Sequence, residues 1–261
     1  MTPKRFMLIA GEASGDMLAA ELVKELRAGI ARRSTYSPNA QPLEADLAPR
    51  FFGAGGPRMA EAGVELAFDL TQHSIIGLPS PKDYFKFRRF RNELVAMACE
   101  REPHAIICVD FNWFNASFAA AVKKYVRARR GTFNNWEPKI IKYISPQVWA
   151  SRADRAYEIA RDFDLLLSIF PFEKEWYASR VPKLRVEFAG HPMIDRYANV
   201  ERGTPRAEFD ATRGPMLVLL PGSRKRELKR HVPVMVDAFK IMQLAIPNLR
   251  AQMVLPTQEL L

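Results

Sequence analysis

Short apolar segments alternate with longer amphipathic segments along most of this chain, and that alternation limits what it can fold into. The apolar segments lack the period-two pattern of half-buried strands, as expected of strands covered on both faces. The longer segments repeat apolar residues with the helical period, as Leu18, Leu22 and Leu26 do. Strand candidates are 6–10, 104–109, 139–144, 165–170, 185–189 and 216–220, and helix candidates are 14–28, 82–100, 114–130, 151–161, 172–180 and 226–246. The alternation predicts an α/β fold with a parallel sheet and right-handed crossovers.

The stretch 191–215 is polar, contains glycines and prolines, and predicts a connection between two domains. The N-terminal α/β domain would occupy 1–190, and the second domain would begin at 216. The 216–261 segment holds two strand candidates and one helix candidate, which are too few to close a core. We therefore expect the second domain to be incomplete.

The charge of the chain favours an anionic partner. There are 39 Lys and Arg against 29 Asp and Glu, a formal net charge of +10, which suits nucleic acid, lipid head groups or phosphorylated metabolites. The basic stretches 82–91, 123–130 and 224–230 could equally be solvated helix faces. No apolar run reaches about 18 residues, and the two cysteines show no metal or disulfide spacing. These features favour a cytosolic protein.

Six motifs stand where predicted strands end, which is where parallel α/β sheets bind ligands. The segments 11–16 and 52–57 are glycine turns that lead into helices, so their backbones can approach an anion. Ser14 or Asp16 could equally be only an N-cap. Neither motif matches a GxGxxG or P-loop pattern.

The third motif begins with Asp110, whose carboxylate could act as a general base or could simply stabilise a turn. The fourth and fifth motifs are 145–152 and 188–192. The sixth, 219–224, ends with Arg224, whose guanidinium can hold a diphosphate bidentately. No metal-ligand spacing is present in the sequence, so neither a metal nor a cofactor is expected. No GxSxG motif points to acyl chemistry.

Together the motifs resemble lipid-A-disaccharide synthase, a glycosyltransferase family of the GT-B architecture, from residue 6 to about residue 256. The residues that carry the resemblance are Gly11–Asp16, Gly53–Met59, Asp110 with Phe114 and Asn115, Ser145–Ala150, Phe170–Glu173, Gly190–Pro192 and Leu220–Arg224. The resemblance implies a GT-B-like α/β fold, with a Rossmann-like parallel sheet in the N-terminal domain and an incomplete second Rossmann-like domain. It also implies inverting transfer from UDP-2,3-diacylglucosamine to 2,3-diacylglucosamine 1-phosphate, which gives the lipid A disaccharide phosphate and UDP.

The resemblance further implies roles for residues. Asp110 would take the proton of the acceptor's 6-hydroxyl, and Arg224 would stabilise the departing diphosphate without a metal. Substrate-binding candidates are Gly11, Glu12, Ser14, Gly15, Asp16, Gly55, Gly56, Asn115, Ser145, Gln147 and His191, and nucleotide-binding candidates are Gly222, Ser223 and Arg224.

The stretch 75–91 is aromatic and basic and lies where the family has a membrane-contact surface. Its candidate contacts are Ile75, Ile76, Leu78, Tyr84, Phe85, Phe87, Arg88, Arg89 and Phe90. Aromatic residues beside cations suit an anionic bilayer, so we expect peripheral binding to the cytoplasmic face of the inner membrane. The alternative is a core-facing helix with a charged outer face.

The chain departs from the family pattern in two ways. Asn112 replaces a proline and Trp113 replaces a frequent acid in the motif after Asp110. Family members also continue well past residue 261, with a portion that completes the second domain, contributes to the UDP site and often exchanges between subunits, so a homodimer would use that portion. We therefore expect little or no transferase activity from these 261 residues alone. The alternatives are a non-catalytic remnant that binds acylated sugar or membrane, and a nucleic-acid-binding protein, against which the lack of a known nucleic-acid-binding motif argues.

Overall fold

The computed structural model describes residues 3–35, 48–73, 81–131, 135–198, 214–222 and 225–255. The chain divides into two compact units, Met1–Tyr197 and Ala198–Leu261. The boundary falls inside the stretch 191–215, and the first residues of that stretch form a helix rather than an extended connection.

The first unit is built on a seven-stranded parallel sheet. Its strands are β1 (Arg5–Ala10), β2 (Arg50–Gly55), β3 (Glu65–Asp69), β4 (Ala105–Val109), β5 (Lys139–Tyr143), β6 (Leu165–Ser168) and β7 (Arg185–Phe188). They pair in the order β3-β2-β1-β4-β5-β6-β7. The order reverses between β1 and β4, which makes the carboxyl ends of these two strands the topological switch point. The parallel α/β fold predicted from the sequence is confirmed.

Helices cover both faces of this sheet. They are α1 (Ala13–Thr35), α2 (Pro57–Glu61), α3 (Pro81–Arg101), α4 (Asn112–Arg129), α5 (Arg155–Asp162), α6 (Glu173–Ala178) and α7 (Pro192–Ala198). One buried cluster joins α1 and α2 to the sheet through Leu8 and Val109, and a second joins α3, α4 and α5 to it through Ile9 and Cys108. Every residue of β4 is buried. Burial on both faces explains why these strands are continuously apolar.

Strand β3 and helix α7 were not predicted from the sequence. Among the described strands, β3 lies at the edge of the sheet and pairs with β2 alone. It is partly exposed, and it begins and ends with the charged residues Glu65 and Asp69. It therefore lacks the uniform apolar character that marks the central strands. Helix α7 has no buried residue, so its sequence shows no apolar stripe from which a helix could be predicted.

The described residues of the second unit from 214 onward form a single βαβ motif. Strands β8 (Met216–Leu219) and β9 (Arg250–Met253) pair in parallel, and α8 (Lys225–Ala245) connects them. Large apolar side chains of this unit remain exposed, among them Met216, Val218, Leu220, Ile241 and Leu244. In the parts of the chain that the structure describes, no helix is both long and apolar enough to cross a lipid bilayer.

Candidate active site

The first loop after β1 is tied to the loop after β2 by Asp16. Its carboxylate accepts hydrogen bonds from the backbone N–H groups of Gly56 (2.8 Å), Arg58 (2.9 Å) and Met59 (3.0 Å), which are the free donors at the start of α2. Asp16 is 2% exposed. Its buried carboxylate caps α2, and the proposed contact of Asp16 with substrate remains a prediction.

The glycines of the second loop are buried against the same structure. A Cβ on Gly56 would lie 2.7 Å from Asp16 Oδ2, and one on Gly55 would overlap the thioether of Met59. Close packing therefore accounts for both glycines, and their proposed contact with substrate remains a prediction.

The first loop also lies against the end of β4. A Cβ on Gly15 would stand 3.8 Å from the Cβ of Asp110, and a Cβ on Gly11 would overlap the ring of Phe111. Glu12 is half-buried and Ser14 is exposed. The structure thus brings the 11–16 motif and Asp110 together at the switch point.

Asp110 begins a strained turn between β4 and α4. Asp110 and Phe111 have φ values of 44° and 43°, in the left-handed region that non-glycine residues seldom adopt. Each such residue costs about 1–3 kcal/mol and persists only when its surroundings hold it in place. The Asp110 N–H donates to the carbonyl of Tyr143 on β5 (3.0 Å), while the side chain of Asp110 stays partly exposed.

Asn115 holds this turn from inside the protein. Its Nδ2 donates to the carbonyl oxygens of Asp110 (2.9 Å) and Val109 (3.2 Å), and the residue is 0% exposed. Its Oδ1 is buried and has no hydrogen-bond partner within the described residues. The Nδ2 group of Asn115 is thus used by the backbone beneath Asp110, and the proposed substrate contact of Asn115 remains a prediction.

Lys142 on β5 is the residue of this site that the sequence analysis missed. Its Nζ donates to the carbonyl oxygen of Asp110, and the residue is 2% exposed. Burial lowers the pKa of Lys142 to about 8. The signal in the sequence is a lysine between apolar residues in a strand, Ile140-Ile141-Lys142-Tyr143, where a central strand should carry no charge.

Three further motifs meet where β5, β6 and β7 end. The indole N–H of Trp149 donates to the carboxylate of Glu173 (3.0 Å), which is fully buried. The Ser145 and Tyr177 hydroxyls lie 3.3 Å apart, and burial raises the pKa of Tyr177 to about 12.

The two other substrate candidates of this region differ in setting. His191 is half-buried, its ring centroid lies 5.9 Å from that of Phe170, and its Nδ1 accepts the N–H of Met193. Gln147 is exposed. Ser145, in contrast, is 5% exposed, so its hydroxyl faces the protein interior.

The predicted membrane contacts on helix α3 fall into an exposed group and a buried residue. Tyr84 and Phe85 are 59% and 65% exposed, and Arg88 and Arg89 are also exposed. Phe87 is 2% exposed and packs in the core, so its predicted membrane contact is wrong.

The exposure of Phe90 is intermediate between that of Phe87 and that of the exposed side chains. Phe90 is half-buried, and its ring stacks on Phe68 with centroids 4.7 Å apart. The predicted contacts Ile75, Ile76 and Leu78 lie outside the described residues.

The nucleotide candidates belong to the second unit. Gly222 follows β8 with a φ of 116°, a backbone conformation that suits glycine. Ser223 and Arg224 lie outside the described residues. In the described part of the chain, no group of three or more His, Cys, Asp or Glu side chains could hold a metal ion.

The chain is similar to known proteins over almost its whole length. A profile of the lipid-A-disaccharide synthetase family matches residues 6–259. Lipid-A-disaccharide synthase 1 of Legionella pneumophila (strain Lens) is 35% identical over 250 residues, covering 94% of this chain and 58% of that protein. The lipid-A-disaccharide synthase of Myxococcus xanthus is 35% identical over 257 residues, covering 97% of this chain and 59% of that protein.

Solved structures show a weaker likeness. The crystal structure of UDP-GlcNAc 2-epimerase from Neisseria meningitidis, bound to UDP-GlcNAc, aligns with a TM-score of 0.49 at 9% identity and covers all of this chain and 73% of the other. Acinetobacter baumannii MurG aligns with a TM-score of 0.44 at 12% identity, covering 97% of this chain and 66% of the other. The α/β fold follows from the strand order itself.

The chain spans somewhat less than three fifths of the length of the relatives quoted above. Within that span, the family profile covers both units, including the loops that hold Asp16, Asp110 and Glu173. The chain belongs to the lipid-A-disaccharide synthetase family.

Proposed function

We propose that the first unit holds the acceptor sugar and supplies the general base of an inverting glycosyl transfer. The carboxylate of Asp110 takes the proton of the 6-hydroxyl of 2,3-diacylglucosamine 1-phosphate. The freed oxygen attacks the anomeric carbon of UDP-2,3-diacylglucosamine, the bond from that carbon to the diphosphate breaks, and UDP leaves. The products are the lipid A disaccharide phosphate and UDP.

The observation that carries this proposal is the turn at Asp110. The turn lies at the switch point of the sheet, its backbone is held by Tyr143, Asn115 and Lys142, and its carboxyl group remains accessible. An anchored backbone with an accessible carboxylate is what a general base requires, because the group must stay within reach of the hydroxyl during proton transfer. Backbone strain of this kind concentrates at functional sites.

The second unit is proposed to bind the nucleotide. Gly222 provides a turn after β8, and Arg224 follows it in the sequence shortly before α8. A guanidinium there would stabilise the negative charge that develops on the departing diphosphate, which is an electrostatic role and needs no metal. We expect little or no turnover from these 261 residues by themselves, because the part of this unit that the structure describes is one βαβ motif with exposed apolar side chains.

The outer face of α3 is proposed to bind the cytoplasmic side of the inner membrane. Tyr84 and Phe85 are exposed beside Arg88 and Arg89, so apolar rings and cations lie on the same helix face. Such a face suits the interface of an anionic bilayer, where acylated substrates reside.

The test combines turnover with acceptor binding. The purified chain is incubated with both acylated glucosamine substrates in detergent, and disaccharide and UDP are measured by mass spectrometry. Product that disappears in Asp110→Asn supports the role of Asp110 as the base and would contradict the expectation of little or no turnover. Without product, binding of 2,3-diacylglucosamine 1-phosphate to the chain supports the acceptor role of the first unit. The absence of both product and acceptor binding would overturn the proposal.

A further inference from the structure

We propose that Lys142 is a positioning residue of the candidate active site. Its ammonium group holds the carbonyl oxygen of Asp110 and thereby maintains the left-handed turn that presents the Asp110 carboxyl group. The inference rests on the proposed function only for the role of Asp110 as a base. The geometry of the turn can be measured without any assay of transfer.

The carbonyl oxygen of Asp110 is held from two sides. Lys142 donates to it from β5, and Asn115 Nδ2 donates to it from α4 at 2.9 Å. An oxygen with two lone pairs is thus saturated by two buried donors. Because Asp110 and Phe111 both have positive φ, loss of either donor would let the turn relax toward an ordinary conformation.

Packing alone does not account for a lysine at this position. Lys142 faces the core beside Cys108, which is fully buried, and no carboxylate in the described part of the chain forms an ion pair with it. A buried cation without such a partner is destabilising, and an apolar side chain of the same volume would serve packing as well or better. We therefore assign the ammonium group of Lys142 to its hydrogen bond with the carbonyl oxygen of Asp110.

Two other charged side chains, Arg155 and Glu158, line a cavity with Lys142. Asn112 also lines this cavity of about 20 Å³, which is about the space of one water molecule. Asn112 Oδ1 is buried without a hydrogen-bond partner among the described residues. Cys108 on β4 and Asp110 are the groups whose charges act on Lys142.

The first experiment is amide hydrogen exchange on the whole chain at pH 7, comparing the wild type with Lys142→Met. We expect the amides of Asp110 and Asn115, which are bonded to Tyr143 and Phe111, to exchange at least about tenfold faster in the variant. Amides of β1 should be unchanged. Lys123→Met is the matched control, because it removes a partly buried lysine of α4 that pairs with Asp164.

Two further measurements keep the inference testable if Lys142→Met does not fold. Lys142→Gln keeps a donor but no charge and should give an intermediate effect at the same amides. In the wild type alone, protection of these amides should fall as the pH rises above about 8, because a neutral amine is a weaker donor than an ammonium group. If Lys142 only filled space, the protection of these amides would not fall above about pH 8.

Unchanged exchange at Asp110 and Asn115 in the folded variants, together with a flat pH profile in the wild type, would overturn the inference. Where transfer is measurable, Lys142→Met should lower kcat about tenfold or more and leave KM nearly unchanged. Failure of Asp110→Asn to affect transfer would count against the proposed base but not against the exchange result. The two ideas can therefore fail separately.

Discussion

The carboxylate of Asp16 accepts a hydrogen bond from the backbone N–H of Gly56 at 2.8 Å, although the two residues are 40 positions apart. A side chain at the start of α1 thus caps α2 and joins the loops that follow β1 and β2. This link fixes one side of the switch point, and the Asp110 turn forms the other side.

Removing this cap should destabilise the protein strongly. Asp16→Ala leaves two buried N–H groups and one partly buried N–H group without their acceptor, so we expect the free energy of unfolding to fall by about 3 kcal/mol or more. Urea denaturation measures the change. The control is Asp154→Ala, since Asp154 stands at the start of α5 but makes no capping bond, and it should cost less than about 0.5 kcal/mol. Equal losses in the two variants would contradict the capping role.

The contact between Gly11 and Phe111 should make even a methyl group harmful. Gly11→Ala places a Cβ inside the ring of Phe111 and should destabilise the fold by about 1–3 kcal/mol while displacing the Asp110 turn. Thermal unfolding and hydrogen exchange at Asp110 would show both effects. Gly29→Ala is the control, because a Cβ on Gly29 in α1 meets nothing within 4 Å, and it should be neutral or stabilising.

Lys142 should leave a signature in the pH dependence of stability. Burial lowers its pKa from 10.5 to about 8, so between these pH values the unfolded chain binds a proton that the folded chain does not. The contribution of Lys142 to the free energy of unfolding is therefore lowest below pH 8 and rises as the pH increases toward 10.5.

Comparing the wild type with Lys142→Met largely removes the contributions of Cys108 and Tyr177, because burial raises the pKa of each to about 12, above the pH range compared. Relative to the variant, the wild type should gain about 3 kcal/mol between pH 7 and pH 10.5 in urea denaturation. A difference that stays constant over this range would show that Lys142 keeps an ordinary pKa.

The outer face of α3 should govern binding to vesicles. A variant with Tyr84→Ser, Phe85→Ser, Arg88→Gln and Arg89→Gln should bind vesicles of phosphatidylglycerol and phosphatidylethanolamine at least about tenfold more weakly, since each cation contributes about 1 kcal/mol. Flotation of the vesicles measures the bound fraction.

The control for α3 removes two exposed cations from α4, with Lys124→Gln and Arg127→Gln. It should bind vesicles nearly as well as the wild type, because α4 has no exposed aromatic pair beside those cations. Equal binding by the wild type and the α3 variant would remove the membrane proposal.

The sequence predicted the fold well where burial is uniform. Strand β4 is wholly buried and β1 is buried from Met7 to Ala10, so these residues are apolar without alternation and can be recognised one segment at a time. Motifs at the ends of such strands could be placed at one edge of the sheet, because parallel strands share their direction. Strand β3 and helix α7 escaped prediction because each is partly exposed and carries no strong periodic signal.

The roles of individual side chains were decided only by the tertiary structure. Phe85 and Phe87 look alike in the sequence, but two positions on a helix are about 200° apart, and only the position of the sheet determines which ring is buried. Asp16 and Lys142 find their partners 40 and 32 positions away. The alternation of apolar segments determined the layers by itself, because burial acts on each segment separately, whereas a hydrogen bond between distant loops exists only after the sheet has brought their ends together.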